Sequence, residues 1–596
     1  VLEGTLAYLS PEQTGRMNRS LDYRTDFYSL GITFYELLTG QLPYNTADTL
    51  ELVHCHIAKQ PIPPHELVPE IPKAVSDIVM KLIAKTAEER YQSAWGVKAD
   101  LQQCLTQLQT SPNISGFSLG SQDISDKFQI PQKLYGREAE VETLLAAFER
   151  VVDNSESKTE MILVSGYSGI GKSSLVAEIH KPNTRLRGYF TSGKFDQFQR
   201  NVPYSAIVNA FKGLVQQLLT ESEANFRQWR DKLLAAFGAN GQVIIDVIPE
   251  VELIVGKQPA LPELGPSESQ TRLNLVFGKF IRAFCTKEHP LVVFLDDLQW
   301  TDSATLKLIE LMMSDTDMQY LFVIGAYRDN EVSSTHPLMI TLDGLRNLGA
   351  TITSITLRPL EVEHISQLIA DTLHCNTDKS HPLAKLVMSK TGGNPFFVNQ
   401  FLKSLHAENL IKFDFERHGW QWNIAQIEAR NITDNVVELM IGKLKKLPQF
   451  TQQVLCLASC IGIYFKLNTL SIIWEKTEEV IFADLVTVIQ AGFILPISDL
   501  DPNLLIQNYK FLHDRVQQAA YSLIPEAERS QTHLKIGQVL LKHTPKSQLE
   551  ENIFEIVNHL NIGAVIITSQ SNKDYLAELN LIAGRKAKAT AAYEAA

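Results

Sequence analysis

The chain has 596 residues, 44% of them hydrophobic and 20% charged, which suits a soluble globular protein of about four domains, each with its own core. Its 55 Lys and Arg stand against 67 Asp and Glu, a net charge of −12, and that balance argues against a dedicated nucleic-acid binder. Six cysteines lie scattered without a CxxC pair, which fits a reducing, cytoplasmic setting. No apolar run reaches membrane-spanning length and no signal peptide is visible. The chain opens on Val1 rather than Met and stops inside a helical pattern, so it reads as a fragment.

The first hundred residues carry ordered motifs: Gly4-Thr5, Ser10-Pro11-Glu12, Asp22-Tyr23-Arg24-Thr25-Asp26 opening an apolar helix, Tyr35-Glu36, Pro43-Tyr44 and Glu89-Arg90-Tyr91. Together they resemble the C-terminal lobe of a Ser/Thr protein kinase, entered partway through the activation segment, with Ser10 where that family has Ala before Pro-Glu. The resemblance implies a buried Glu12–Arg90 ion pair, an Asp26 that holds the catalytic-loop backbone, and a Thr5 in the loop that receives the residue after the phosphoacceptor. An unrelated helical domain is the alternative. No Gly-rich loop, strand Lys, His-Arg-Asp or Asp-Phe-Gly precedes these motifs. Those parts bind ATP and both Mg²⁺ ions, so this stretch alone is not expected to phosphorylate anything.

Residues 108–131 are rich in Ser, Gln, Gly and Pro and read as an interdomain linker, with Phe128–Pro131 expected to lie along the next domain. Gly136-Arg137-Glu138 then precedes an amphipathic helix. The apolar run Ile162-Leu163-Val164 leads into Gly166-Tyr-Ser-Gly169-Ile-Gly171-Lys172-Ser173-Ser174, the P-loop pattern in its strand–loop–helix context. The glycines let the backbone curl its N–H groups inward and the following helix adds its positive end. Lys172 would reach the β- and γ-phosphates of ATP, and the Ser173 hydroxyl would ligate Mg²⁺. Downstream, Leu291–Leu295 is apolar at every position, as in a strand buried on both faces, and ends in Asp296-Asp297. Asp296 would hold Mg²⁺ through water and Asp297 would polarise the attacking water. An Asp-rich turn is the alternative.

Three further stretches extend this pattern: Leu298-Gln299-Trp300-Thr301-Asp302, a strand ending in Arg328, and Gly392-Gly393-Asn394-Pro395-Phe396-Phe397. With the Gly-Arg-Glu element they resemble STAND-class signalling ATPases, a branch of the AAA-like P-loop proteins. The resemblance places Gly136 and Arg137 against the adenine, Arg328 as a sensor facing the γ-phosphate, and Pro395 on the adenine. A solvated strand end for Arg328 and a helix N1 position for Pro395 stay open. Residues 201–264 look like the helical insertion of this group and carry no assigned chemistry. Leu357–His406 reads as a helical lid. Ile432–Ile497 alternates short amphipathic helices with a possible wing at Phe493–Ile497, and its Lys443, Lys445 and Lys446 read as a solvated face. In some STAND proteins a His-Asp at the end of the winged helix senses the ADP β-phosphate, a role that would fall to His513; a helix cap or a core position is the alternative. Past Ala527 the pattern is helical, and Ala583, Ala587 and Ala591 recur beside Tyr593, resembling the start of a tetratricopeptide-like array or a plain packing stripe.

The expected fold is therefore multidomain, α/β and α. It comprises a helical kinase C-lobe at 1–107, the linker at 108–131 and a parallel-sheet P-loop ATPase core at 132–345. A helical lid at 346–430, a winged-helix-like domain at 431–525 and truncated helical repeats at 526–596 complete it. This order resembles large bacterial, notably cyanobacterial, sensor proteins in which sensor modules and often a histidine-kinase core follow. It implies an ATP–Mg²⁺ switch with ATP-dependent self-association, and a protein substrate for the whole kinase. The competing readings are a scaffold holding nucleotide without turnover and a DNA-binding regulator, the latter opposed by the acidic balance.

Overall fold

The computed structural model describes residues 6–592 apart from 15–20, 47–48, 112–113, 122, 124, 154–158, 187, 198–201, 220–222, 263, 415–418, 431–432, 434, 498–504 and 591. Thr5, Ala591 and Tyr593 thus lie outside the described residues. The chain forms two compact units, each discontinuous in sequence: one from 1–141, 174–188 and 359–432, the other from 142–173, 189–358 and 433–596.

The second unit is built on a five-stranded parallel sheet. Its strands are β1 (Glu160–Ser165), β2 (Tyr189–Lys194), β3 (Leu291–Asp296), β4 (Leu321–Tyr327) and β5 (Thr351–Thr356), in the order β2-β3-β4-β1-β5. The three inner strands β1, β3 and β4 are buried almost throughout, as their unbroken apolar runs require. The sheet passes the boundary expected at 345, because β5 pairs along all of β1. That strand, Thr-Ile-Thr-Ser-Ile-Thr, is half exposed at the sheet edge, where hydroxyl side chains face water and no apolar run marks it. At the other edge, Gly193 of β2 is required by packing: a Cβ there would sit 1.9 Å from the Ala206 carbonyl oxygen of the covering helix Ser205–Leu219. That helix and Pro266–Phe284 close the core with Phe211, Phe277, Phe280 and Phe284.

The same unit continues as helices Val436–Leu444, Gln449–Ile461, Leu467–Trp474 and Glu478–Gln490 with a three-stranded antiparallel sheet. Asn508–Phe511 is the central strand, between Tyr464–Lys466 and Ile494–Pro496, giving the helix–sheet order of a winged helix. Helices Glu526–His543, Leu549–Ile562 and Gln570–Ala589 follow. Leu579, Ala583 and Ala587 form the buried stripe of the last one, and Ala587 and Ala592 join the core that contains Met161 and Leu163 of β1. Tyr204 donates its hydroxyl hydrogen to the Thr590 carbonyl at 3.1 Å, tying that helix end to the sheet domain.

In the first unit, helices Arg24–Thr39, Lys73–Leu82 and Ala94–Thr110 pack around Ile78, Leu82, Tyr91 and Cys104. The described residues of 108–131, read as a linker, make contacts at both ends of the stretch. Ile114, Phe117 and Leu119 pack on the helical core. The Asp123 carboxylate accepts from the amides of Gln92 (2.7 Å) and Ser93 (2.8 Å) and from the Ser93 hydroxyl (2.8 Å). Farther on, the Ser125 carbonyl accepts from the Trp420 indole at 3.2 Å, and Phe128 stacks on His406 with centroids 4.5 Å apart. Trp420 belongs to a hairpin, Ile411–Asp414 with Gly419–Trp422, that follows helices Val362–Leu373, Thr377–Thr391 and Pro395–Ala407. Among the described residues, no helix is long and apolar enough to cross a membrane.

Candidate nucleotide site

Parallel strands put all their carboxyl ends at one edge of a sheet, where ligands of such folds bind. Here β1 delivers the P-loop, β2 Lys194, β3 Asp296 and Asp297, and β4 Arg328. The P-loop glycines Gly166, Gly169 and Gly171 have φ of +142°, +80° and +102°, a curl that side chains with Cβ resist. A Cβ on Gly166 would also meet the Leu357 carbonyl oxygen at 2.9 Å. Lys172 is buried and donates to the carbonyls of Gly166 (2.8 Å) and Tyr167 (3.1 Å). Burial lowers its pKa, against the pull of Asp296 and Asp297. A buried ammonium resting on neutral carbonyls suits a site made for an anion.

The Ser173 hydroxyl donates to Asp296 Oδ2 at 3.2 Å. Among the described residues no cluster of three or more His, Cys, Asp and Glu is placed to hold a metal ion. One carboxylate and one hydroxyl fit Mg²⁺, which keeps several waters and takes the rest of its shell from phosphate. Ser174 is exposed in the helix Lys172–Ala177.

Around this pair lies a closed polar network. Asp297 has a left-handed backbone, φ +60°, a conformation an Asp tolerates. Its Oδ1 accepts from Gln299 Nε2 (2.8 Å) and from Arg328 Nε (3.2 Å). Arg328 reaches Glu331 at 2.9 Å and Asp514 at 2.6 Å, its backbone amide donates to Gln299 Oε1, and its guanidinium lies 4.5 Å over the Trp300 ring. It is buried, not a solvated strand end. Lys194 contacts Asp514 (2.7 Å), Asp297 (2.9 Å) and Asp296 (3.5 Å). Burial opposes its charge, but the three carboxylates outweigh burial and hold its pKa well above the usual lysine value. Burial raises the Asp296 carboxyl, with Lys194 opposing. At Asp514 burial is outweighed by Lys194, His513 and Arg328, and its carboxyl sits well below the usual range.

His513 is the N-cap of the helix Asp514–Ser522, its Nδ1 accepting from the Arg515 amide at 3.1 Å. Burial lowers it to about 4, so the ring is neutral at pH 7 and carries its proton on Nε2. Lys194, Gln299, Glu331 and Asp514 were not singled out as site residues from sequence. The one available signal was the Asp514 that follows His513; Lys194 is brought in by the register that pairs it with Asp296.

The remaining candidates lie in the other unit. Gly136, at φ +60°, faces the His364 ring, which a Cβ would meet at 2.5 Å. Arg137 is buried with Glu140 3.8 Å away. Pro395 is the first residue of its helix after the Asn394 cap, and the Gly393 carbonyl accepts from Leu360 at 2.8 Å. Both elements therefore flank the start of the helix Val362–Leu373. In the kinase-like lobe, Arg90 meets Glu12 through two parallel bonds of 2.6 and 2.8 Å. Thr25 adds a third to the same carboxylate, and Arg90 also donates to the carbonyls of Ala84 and Arg24. Asp26 is exposed in the first turn of its helix.

The family model described as AAA ATPase domain matches residues 133–324, and that described as protein kinase domain matches residues 1–104. The chain is 34% identical to hybrid signal transduction histidine kinase G of Dictyostelium discoideum, over 99% of the chain and 21% of that protein. It is 24% identical to the peroxide stress-activated histidine kinase mak3 of Schizosaccharomyces pombe, over 99% and 28%. The chain thus spans about a fifth to a quarter of these relatives' length. A solved STAND protein with a tetratricopeptide repeat sensor, from Pyrococcus horikoshii, aligns at 14% identity and TM-score 0.37, covering 76% of this chain and 51% of that one. The chain carries a protein-kinase-like segment followed by an AAA-type P-loop ATPase domain.

Proposed function

We propose that the chain is the nucleotide-controlled part of a multidomain signalling kinase, an ATP-hydrolysing switch of the STAND type placed after a Ser/Thr-kinase-like lobe. The observation that carries this reading is one network joining Asp297 and Arg328, at the ends of adjacent strands, to Asp514 at the end of the winged helix. In such a switch Lys172 holds the β- and γ-phosphates, Ser173 and Asp296 hold Mg²⁺, and Gly136, Arg137 and Pro395 receive the adenine. Mg²⁺, when bound, neutralises charge on the phosphates. Asp297 orients the attacking water, and Arg328 meets the γ-phosphate. With Asp297 held by Lys194 and Arg328, its carboxylate is committed to cations, so the arrangement described corresponds to a closed, non-hydrolysing state. His513, with its proton on Nε2, donates to the ADP β-phosphate in that state.

Protein phosphorylation belongs to the longer protein, on the model of the relatives named as histidine kinases and of the Ser/Thr-kinase-like motifs. A cytoplasmic setting, a protein substrate, self-association with ATP, sensor and histidine-kinase modules beyond this stretch, and the bacterial lineage suggested by domain order are parts of the same proposal. The test is calorimetric titration of ATP into wild type and Lys172→Ala. Wild type should bind and slowly hydrolyse ATP while the variant does neither, since the loop 166–174 carries no second cation to take the place of Lys172. Tight ATP binding by the variant would overturn the P-loop assignment.

A further inference from the structure

Lys194 has no part in the P-loop chemistry outlined above, yet it stands at the metal seat. It is the last residue of β2, in register with Asp296, and its ammonium lies 3.5 Å from Asp296 Oδ2. That oxygen is also the one that accepts from Ser173. The same ammonium reaches Asp297 at 2.9 Å and, across to the winged-helix end, Asp514 at 2.7 Å. Three carboxylates thus share one half-buried lysine, with Arg328 bridging two of them. Carboxylates packed this closely cannot all stay ionised without a compensating cation.

We propose that Lys194 is a tethered counter-cation for the Mg²⁺ seat, occupying the charge balance of Asp296 and Asp297 in the closed arrangement and passing the same contact to Asp514, so that metal entry and release of the winged helix oppose each other. This rests on the P-loop reading of the site. A dication at Asp296 and an ammonium on the same oxygen repel, and in a partly buried setting that repulsion is strong. Full metal binding therefore requires Lys194 to draw back from Asp296, and the docked Asp514, already 2.7 Å away, is the carboxylate that can keep it there. Lys194 acts here as a positioning residue, since it reaches the nucleotide only through the carboxylates.

The measurement is the affinity for ADP with MgCl₂ and with EDTA, in the whole chain, taken as a ratio. Lys194→Met should raise that ratio by about tenfold or more, because metal no longer competes with a fixed charge. Lys194→Arg, which keeps the charge, should leave it near wild type. Asp514→Asn should lower it, since Lys194 then leans wholly on Asp296 and Asp297; a residue needed only for folding would move both variants the same way. An unchanged ratio in a folded Lys194→Met overturns the inference. If that variant does not fold, an unchanged or raised ratio in Asp514→Asn does so instead. Nucleotide binding by wild type in EDTA checks the P-loop reading separately, and its absence under both conditions removes that reading and this inference together.

Discussion

At the scale of single residues, Glu12 and Arg90 show what a buried ion pair needs. The fork-to-fork geometry, the Thr25 hydroxyl and the two carbonyls leave no charged atom of the pair unsatisfied. Burial pushes the Glu12 carboxyl up, but the Arg90 hydrogen bonds and charge outweigh it, and the net shift is downward. Glu12→Ala should cost about 3–5 kcal/mol, because Arg90 is left buried and unpaired. A urea midpoint that does not move would remove this role. The sign of the pH effect follows: with a folded pKa below the unfolded value of about 4.3, the pair's contribution is complete above that pH. It is lost as pH falls through the folded value. Wild type should therefore lose more stability than Glu12→Gln on acidification below about pH 4.

At the scale of elements, the inner strands and the P-loop were legible because their chemistry is continuous in sequence. Leu291–Leu295 is apolar at every step and ends in its two acids, and the glycines of 166–171 announce the turn they make. Strands β2 and β5 were not: edge strands need only one apolar side, their Thr, Ser and Gly form no apolar run, and β5 fell within the stretch read as lid. Lys194 was hidden with β2: sheet register alone brings it to Asp296. Asp514 was one residue from the chosen His513, whose ring caps the helix while the next side chain turns to Arg328 and Lys194. The contacts of the strap at 114–129 were hidden for a different reason. Its small polar residues, taken as a sign of looseness, let the backbone lie close enough for Gly120 to donate to Asp100 at 2.7 Å and for Asp123 to cap the helix entry at Ser93. Asp123→Ala should destabilise that entry by about 2–3 kcal/mol, the scale of lost charge-assisted bonds. Hydrogen exchange should then accelerate at the Gln92 and Ser93 amides, while β1–β5 amides stay unchanged; equal protection at Gln92 and Ser93 would show that the strap is passive.

At the scale of the whole molecule, the proposed switch is a difference between two nucleotide states, so its evidence must be a ratio. His513→Ala should weaken ADP about ten- to a hundredfold, the worth of one hydrogen bond to a charged oxygen at about 1.5–3 kcal/mol. ATP affinity should barely change, because the contact belongs to the closed state alone, and the variant should self-associate more readily with ATP. Removing the His513 cap of the helix Asp514–Ser522 also costs about 1 kcal/mol of local stability, an effect that does not depend on which nucleotide is bound. The ADP-to-ATP ratio separates the two effects, and an unchanged ratio would leave His513 as a cap only.

The position of β1 in the sheet has a consequence for the protein's birth. This strand emerges early, yet its neighbours are β4 and β5, and Ser165 meets its partner Thr356 only 191 residues later. At about 5–20 residues per second, the ribosome takes on the order of 10–40 s to supply that partner. Until β4 and then β5 are made, Met161–Val164, a four-residue apolar run buried in the folded sheet, lacks the strands that flank it. The nascent chain thus carries an apolar segment whose strand partners come late, and a holding chaperone acting between the synthesis of β1 and β5 should raise its yield.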